Sequence, residues 1–274
     1  MNNSIGKYIR LKRIFNEASG NVVLVPLDHG VTSGPIEGLK NMRDTVKHFA
    51  GGGVDGLILH KGIVTKTFYA LERNTSLLVH LSASTEISPD TNLKTLVCTV
   101  EEGLQLGADG VSIHVNLGSD NEAKMLSDFG AISKKCSDWG VPLLAMMYAR
   151  GENIRSDNVA NIRLAARVAC ELGADLVKVS FTGSADSFRS VVEGCSIPVI
   201  VAGGEKASNT ETVLKNISMA LEAGARGVAC GRNTFQHINP PGFCKAISAI
   251  VHNSASVEEA LEIVKADVPL GQAV

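Results

Sequence analysis

Lys178 stands in the stretch LGADLVKVSF (residues 172–181), among Leu176, Val177 and Val179, in a run that otherwise suits a buried β-strand. A lysine held there charged and unpaired costs several kcal/mol. The chain also offers an acid in VPLDHG (Asp28) and a phenol in AMMYARG (Tyr148). Lysine, acid and phenol together are the equipment of imine chemistry. An ordinary lysine, of pKa about 10.4, is free amine to roughly one part in 2,500 at pH 7. Burial favours the neutral form of an amine and so supplies a nucleophile. A ketone captured by it becomes a Schiff base, whose cationic nitrogen draws electrons from the neighbouring carbon–carbon bond. Tyr148 would move a proton at the reacting hydroxyl or α-carbon. Asp28 would hold substrate hydroxyls, orient the lysine or assist that transfer. A plainer role also fits, with Lys178 a structural counter-charge for Asp28. Lys61 in LHKGIV and Lys206 in AGGEKAS follow other strands and read as more solvated, hence poorer imine formers. His29 and His60 lie just beyond strand ends, where loop hydrogen bonding competes with proton transfer.

These residues need elements that bring them together, and an internal repeat supplies the count. GVDGLILH from Gly53, GADGVSIH from Gly107, GADLVKVS from Gly173 and GARGVACG from Gly224 each open an apolar, β-branched run after a helical pattern. Between them lie NVVLVPLDHG, SLLVHLSAS, VPLLAMMYARG and IPVIVAGG. Eight apolar strands alternating with patterns such as NVANIRLAARVACELG predict a parallel sheet covered by helices. The prediction is an α/β protein, a (β/α)8 barrel in one domain over residues 1–274 with a short N-terminal extension. A doubly wound open sheet is the rival architecture.

Side chains alternate along a strand, so position parity separates lumen from helix-facing side. Val177 and Val179 would meet the helices, leaving Lys178 and Ser180 inward. In the fourth strand Val111, Ile113 and Val115 go outward, and Ser112, His114 and Asn116 inward. Val23, Val25 and Leu27 leave Asp28 inward at the end of the first strand. Leu143, Ala145 and Met147 leave Tyr148 inward at the end of the fifth. Asp28, His114, Tyr148 and Lys178 would then converge at the C-terminal mouth, where barrel active sites sit.

The last two strands end in VAGGEKAS and ACGRN. Gly203, Gly204, Gly231 and Arg232, with Lys206, suit a phosphate site, because glycines let backbone N–H groups approach an anion. Tight turns alone would also call for these glycines. The same ambiguity attaches to Gly34 and Gly38.

Composition narrows the partners. The chain has 274 residues, 45% hydrophobic and 4% aromatic, with a formal net charge of −2. That balance gives no electrostatic attraction to nucleic acid or anionic membrane. The basic N-terminus has no apolar signal core and no run approaches a membrane span, so a cytoplasmic protein is expected. Six scattered cysteines (Cys98, Cys136, Cys170, Cys195, Cys230, Cys244) have no metal-ligand spacing and read as reduced core residues.

VPLDHGVTSGPIEGL, VHLSAST, GADGVSIHVNLGS, WGVPLLAMMYARG, GADLVKVSFTG, VVEGCSIPVIVAGG and GVACGRNTFQH together resemble the Schiff-base aldolases related to archaeal class I fructose-bisphosphate aldolase. The likeness runs over roughly residues 4 to 250 and is greatest to the branch making 2-amino-3,7-dideoxy-D-threo-hept-6-ulosonate, an entry to aromatic biosynthesis. The resemblance implies a (β/α)8 barrel without metal or cofactor, assembled as a homo-oligomer of stacked rings up to a decamer. It places the imine-forming lysine on Lys178, the acid/base tyrosine on Tyr148 and the strand-one aspartate on Asp28. Its phosphate-binding residues fall on Gly203, Gly204, Gly231 and Arg232. It implies sugar phosphate and small aldehyde substrates: a ketose-phosphate fragment, held as an enamine, adds to L-aspartate semialdehyde. Fructose 1,6-bisphosphate cleavage, and joining of dihydroxyacetone phosphate to the same aldehyde, stay open. So does a thiolase-type acyl transfer on the same barrel, which would require coenzyme A. Glu205 departs from the proline of the family pattern.

Overall fold

Eight parallel strands close on themselves in the computed structural model, which describes residues 4–207 and 209–266. They are β1 (Val22–Pro26), β2 (Gly56–Leu59), β3 (Ser76–His80), β6 (Gly110–Leu117), β7 (Leu143–Ala149), β8 (Leu176–Val179), β9 (Val199–Ala202) and β10 (Gly227–Ala229). Two short strands, β4 (Ser82–Ala83) and β5 (Thr95–Leu96), form a separate antiparallel pair between β3 and β6. The order around the barrel is β1-β10-β9-β8-β7-β6-β3-β2, so chain neighbours are space neighbours throughout. This is the expected (β/α)8 barrel rather than an open sheet. The β4–β5 hairpin was not foreseen.

Two apolar clusters account for the runs of consecutive buried residues. One lies between strands and helices and takes Val23, Val25, Val111, Ile113, Val115, Leu143, Ala145, Met147, Val177 and Val179. The other fills the lumen with Leu24, Ile58, Leu78, Leu144, Met146, Leu176 and Ile200. Strands buried on both faces have no polar side, which is why they read as unbroken apolar runs.

The repeated GxD segments have a physical cause. Asp55 Oδ2 accepts from Val23 N at 2.6 Å, Asp109 Oδ2 from Leu77 N at 3.2 Å and Asp175 Oδ2 from Leu143 N at 2.8 Å. Each aspartate, placed just before its own strand, thus binds a backbone N–H of the preceding strand in the barrel order. The fourth copy carries Arg226, which donates to Gly20 O at 2.8 Å. The N-terminal extension is a helix, Ser4–Ile14, that closes this same end: Leu11, Ile14 and Phe15 pack on the lumen cluster. Its Lys7 and Arg13 pair with Asp175 (2.8 Å) and Asp109 (3.2 Å). With the bottom sealed by apolar packing, the polar residues of the lumen gather at the opposite end. No helix among the described residues is long and apolar enough to cross a membrane.

Candidate active site

At the C-terminal mouth a cavity of about 780 Å³ is lined by Asp28, His29, His114, Tyr148, Lys178, Gly203, Gly204, Gly231 and Arg232. Every residue expected to act on substrate is among them except Lys206, and His60 lines the cavity too. Lys206 is exposed, and its charge acts on Glu37 and His237 instead. Lys206, expected in a phosphate site, thus follows β9 without lining the cavity. Lys61 also falls outside, with its Nζ 2.8 Å from Glu102 Oε1 on the surface.

Lys178 sits on β8 opposite Met146 of β7 and Ile200 of β9, and only 7% of it is exposed. Among the described residues no carboxylate lies within ion-pair distance of its Nζ. Asp28 lies against two histidines instead: Oδ1 is 3.3 Å from His29 Nδ1, poorly aligned for a hydrogen bond, and Oδ2 is 3.7 Å from His80 Nε2. His80 Nδ1 in turn meets Ser112 Oγ at 2.7 Å. Burial works to raise the Asp28 carboxyl, but His29, His80 and Lys178 outweigh it and hold it well below its ordinary range. Asp28 is an anion at neutral pH. Burial pushes His80 down to about 4, against the attraction of Asp28, so its ring is neutral. The structural pairing open from the sequence, Lys178 with Asp28, is thus replaced by histidines.

Tyr148 lies on β7 opposite Asn116 of β6, and its ring centroid is 5.0 Å from that of His114. His114 Nε2 meets Asn116 Oδ1 at 2.9 Å, and Asn116 Nδ2 donates to Asn92 O at 2.7 Å. Burial holds His114 well below its ordinary value, and the charges of Lys94 and Arg150 add to that. Arg150 lies over the Tyr148 ring at 4.7 Å.

The loops after β9 and β10 are joined by Asn233, a buried residue without a sequence signal. Its Nδ2 donates to Gly203 O (2.7 Å) and Glu205 O (2.8 Å), and its Oδ1 accepts from Ala207 N (2.7 Å). A side chain at Gly203 would put Cβ 2.5 Å from Cys230 Sγ, and one at Gly231 would put it 2.7 Å from His29 Cε1. Both glycines are therefore needed for close approach. The Gly203 N–H donates to Ala229 O, which leaves Gly204, Gly231 and Arg232 to offer backbone N–H groups to an anion.

Lys94 and Arg150 line the same cavity and were missed. The signal for Lys94 is faint, a single charge in TNLKTLVCT. It stands immediately before β5, so the unforeseen hairpin is what carries it inward.

A parallel barrel with a buried amine, a phenol and a carboxylate at its C-terminal mouth, beside two glycine-lined loop ends, has the constitution of a lysine-imine aldolase. The chain belongs to the DeoC/LacD aldolase family, whose model matches residues 22–237. It is 43% identical over 259 residues to 2-amino-3,7-dideoxy-D-threo-hept-6-ulosonate synthase 1 of Archaeoglobus fulgidus, covering 94% of this chain and 95% of that one. It is 41% identical over 256 residues to 2-amino-4,5-dihydroxy-6-oxo-7-(phosphonooxy)heptanoate synthase of Streptomyces griseus, covering 93% of each. Among solved structures it is similar to an archaeal fructose-1,6-bisphosphate aldolase with its catalytic lysine covalently bound to a carbinolamine intermediate. That match has a TM-score of 0.84 and 28% identity over 90% of this chain and 99% of the other. The protein is a class I aldolase.

Proposed function

We propose that the protein joins a ketose-phosphate-derived fragment to L-aspartate semialdehyde, in the manner of the 2-amino-3,7-dideoxy-D-threo-hept-6-ulosonate synthases, with Lys178 as the imine former. The observation that carries this reading is Lys178 itself: buried on the lumen side of β8, in the catalytic cavity, and without a counter-ion among the described residues. In this reading its amine attacks the donor ketone, and the carbinolamine loses water to give a protonated imine. Cleavage of the bond between the α- and β-carbons leaves an enamine on Lys178, and the β-carbinol, passing its hydroxyl proton to Tyr148, departs as an aldehyde that carries the donor's phosphate. The enamine carbon then attacks the aldehyde carbon of the acceptor. The new alkoxide takes a proton from Tyr148, and water returns the ketone and the free amine. Asp28, anionic and held by His29 and His80, orients the donor hydroxyls. Gly204, Gly231 and Arg232 hold the phosphate.

A second reading is favoured by the Streptomyces griseus relative, whose product keeps a phosphate on C7. There the donor would be dihydroxyacetone phosphate, and loss of an α-proton rather than bond cleavage would give the enamine. Both readings include an assembly of identical chains at work in the cytoplasm.

The test is borohydride trapping followed by peptide mass mapping. The protein is offered 6-deoxy-5-ketofructose 1-phosphate, dihydroxyacetone phosphate and fructose 1,6-bisphosphate separately. A reduced adduct on Lys178 is expected, fastest with the first donor. Fastest labelling by the second donor would move the protein to the second reading. No adduct on Lys178 from any of them, beside a working control aldolase, would end the imine reading.

A further inference from the structure

Lys94 is the other buried lysine of the cavity, 9% exposed, and nothing in the reaction above uses it. Its Nζ donates to Ser84 Oγ and to Thr91 O (3.1 Å). Both acceptors are neutral. An ammonium has three donors, so one is left over, and among the described residues no carboxylate stands within ion-pair distance. The segment that carries it is fixed. Asp90 Oδ1 accepts from Asn92 N (2.8 Å) and Leu93 N (3.1 Å), Asn121 Nδ2 donates to Asp90 Oδ2 (2.7 Å), and Asn116 holds Asn92 O. The protein thus holds a buried cation rigidly beside the substrate cavity with its charge unmatched. That arrangement suits an anion supplied by the substrate.

Position says which anion. In the barrel order the glycine loops of β9 and β10 lie to one side of β8 and its Lys178. Tyr148 and Arg150, on and just after β7, lie to the other, and the segment carrying Lys94 is tied to β6 on that same side by the Asn116 bond to Asn92 O. A substrate whose ketone carbon is bound to Lys178 therefore runs both ways from it. The products named for the two relatives share a 2-amino acid end and a ketone at C6, and one carries a phosphate on C7. In the phosphorylated product the C7 end faces the glycine loops, and in both products the C1 carboxylate, five carbon–carbon bonds from C6, reaches the opposite wall.

We infer that Lys94 binds the carboxylate of the amino-aldehyde acceptor and selects acceptors that carry one. This deepens the proposed function and rests on its assignment of Lys178 as the imine former. Lys94 holds the α-carboxylate and Tyr148 meets the aldehyde oxygen, so that aldehydes without an acid end bind without orientation. Arg150 adds positive charge to the same wall.

The experiment uses L-homoserine, which is the acceptor with its aldehyde reduced to an unreactive alcohol, and L-homoserinamide, which lacks the negative charge. Binding of each to the wild-type chain is followed by ligand-detected NMR titration. The acid should bind about tenfold to a hundredfold more tightly than the amide, the range of a charge-assisted hydrogen bond. Lys94→Met should abolish that difference and raise KM for the amino aldehyde by a similar factor. Borohydride trapping on Lys178 of dihydroxyacetone phosphate, a donor with no acceptor-side carbons, should continue at its wild-type rate. Equal binding of acid and amide by the wild-type chain would overturn the assignment, with no variant needed. So would a difference that survives in Lys94→Met, or slower donor trapping in that variant, which would give Lys94 to the donor phosphate. If trapping fails in the wild type while the Lys94-dependent difference holds, the imine reading falls and the carboxylate site stands. Lys94→Gln, which keeps a polar group against Ser84 and Thr91, carries the test if the methionine variant does not fold.

Discussion

Replacing Lys178 by methionine separates a lysine kept for chemistry from one kept for stability. Methionine preserves the unbranched stem packed in the lumen and removes only the amine. Lys178 is 7% exposed and has neither a counter-ion nor a hydrogen bond among the described residues, so its burial is not compensated by a partner. An unsatisfied buried polar group costs about 1–3 kcal/mol, and the low end applies because Lys178 lines an open cavity. Lys178→Met should therefore be more stable by about 1 kcal/mol, or about 2–4 °C in Tm for a chain of this size. Lys178 is also the last of the influences that hold Asp28 down, so little is lost there. A double-mutant cycle with Asp28→Asn, read by urea unfolding, should show a coupling of less than about 0.5 kcal/mol. Aldol activity should vanish in the same protein. A variant that melts several degrees lower, with a coupling well above that bound, would refute the reasoning and restore Lys178 as the structural partner of Asp28.

Asp28→Asn should lower kcat by about 10²-fold, the usual cost of misplacing a substrate that the lost anion had oriented. It should also change acid stability. A carboxyl held below its ordinary 3.8 stabilises the fold above that value and loses the contribution as pH falls through the lower folded value. The urea midpoint of the variant should accordingly fall less steeply below about pH 4. His80 has the opposite origin and the same slope. With a folded value near 4 against an ordinary 6.5, only the unfolded chain gains its proton in that window, so stability drops as pH falls from 6.5 towards 4. His80→Gln should flatten that segment of the pH–stability curve, measured by thermal unfolding. Gly203→Ala brings a methyl to 2.5 Å from Cys230 Sγ and 2.8 Å from Cys230 Cα. A loss of about 1–3 kcal/mol is expected from such overpacking, with a raised KM for phosphorylated donors in steady-state assays.

Much of this site was legible before any coordinates. The alternation that sends Val177 outward and Lys178 inward is a property of the extended backbone, and it held on β1, β6, β7 and β8 alike. It therefore brought Asp28, His114, Tyr148 and Lys178 to one mouth from strands far apart in the chain. Gly203 and Gly231, at the ends of β9 and β10, were legible for a related reason, since a backbone that must pass within 3 Å of another residue admits no Cβ.

What the sequence by itself determined is whatever repeats with the period of a strand or of a β-α unit: eight strands and their two faces. What only the tertiary structure decided lies on segments without a period. Asp28 turned out to be held by His29 and His80, because the ends of β1 and β3 come together only when the barrel closes. Lys206 left the cavity because a loop is free to turn away from the strand that precedes it. Lys94 entered the cavity because a short hairpin folds over the end of β3. Alternation is set locally by backbone geometry, so it can be read from neighbours in the chain. The direction of a loop is set by whatever it packs against, and those contacts exist only once the barrel has formed.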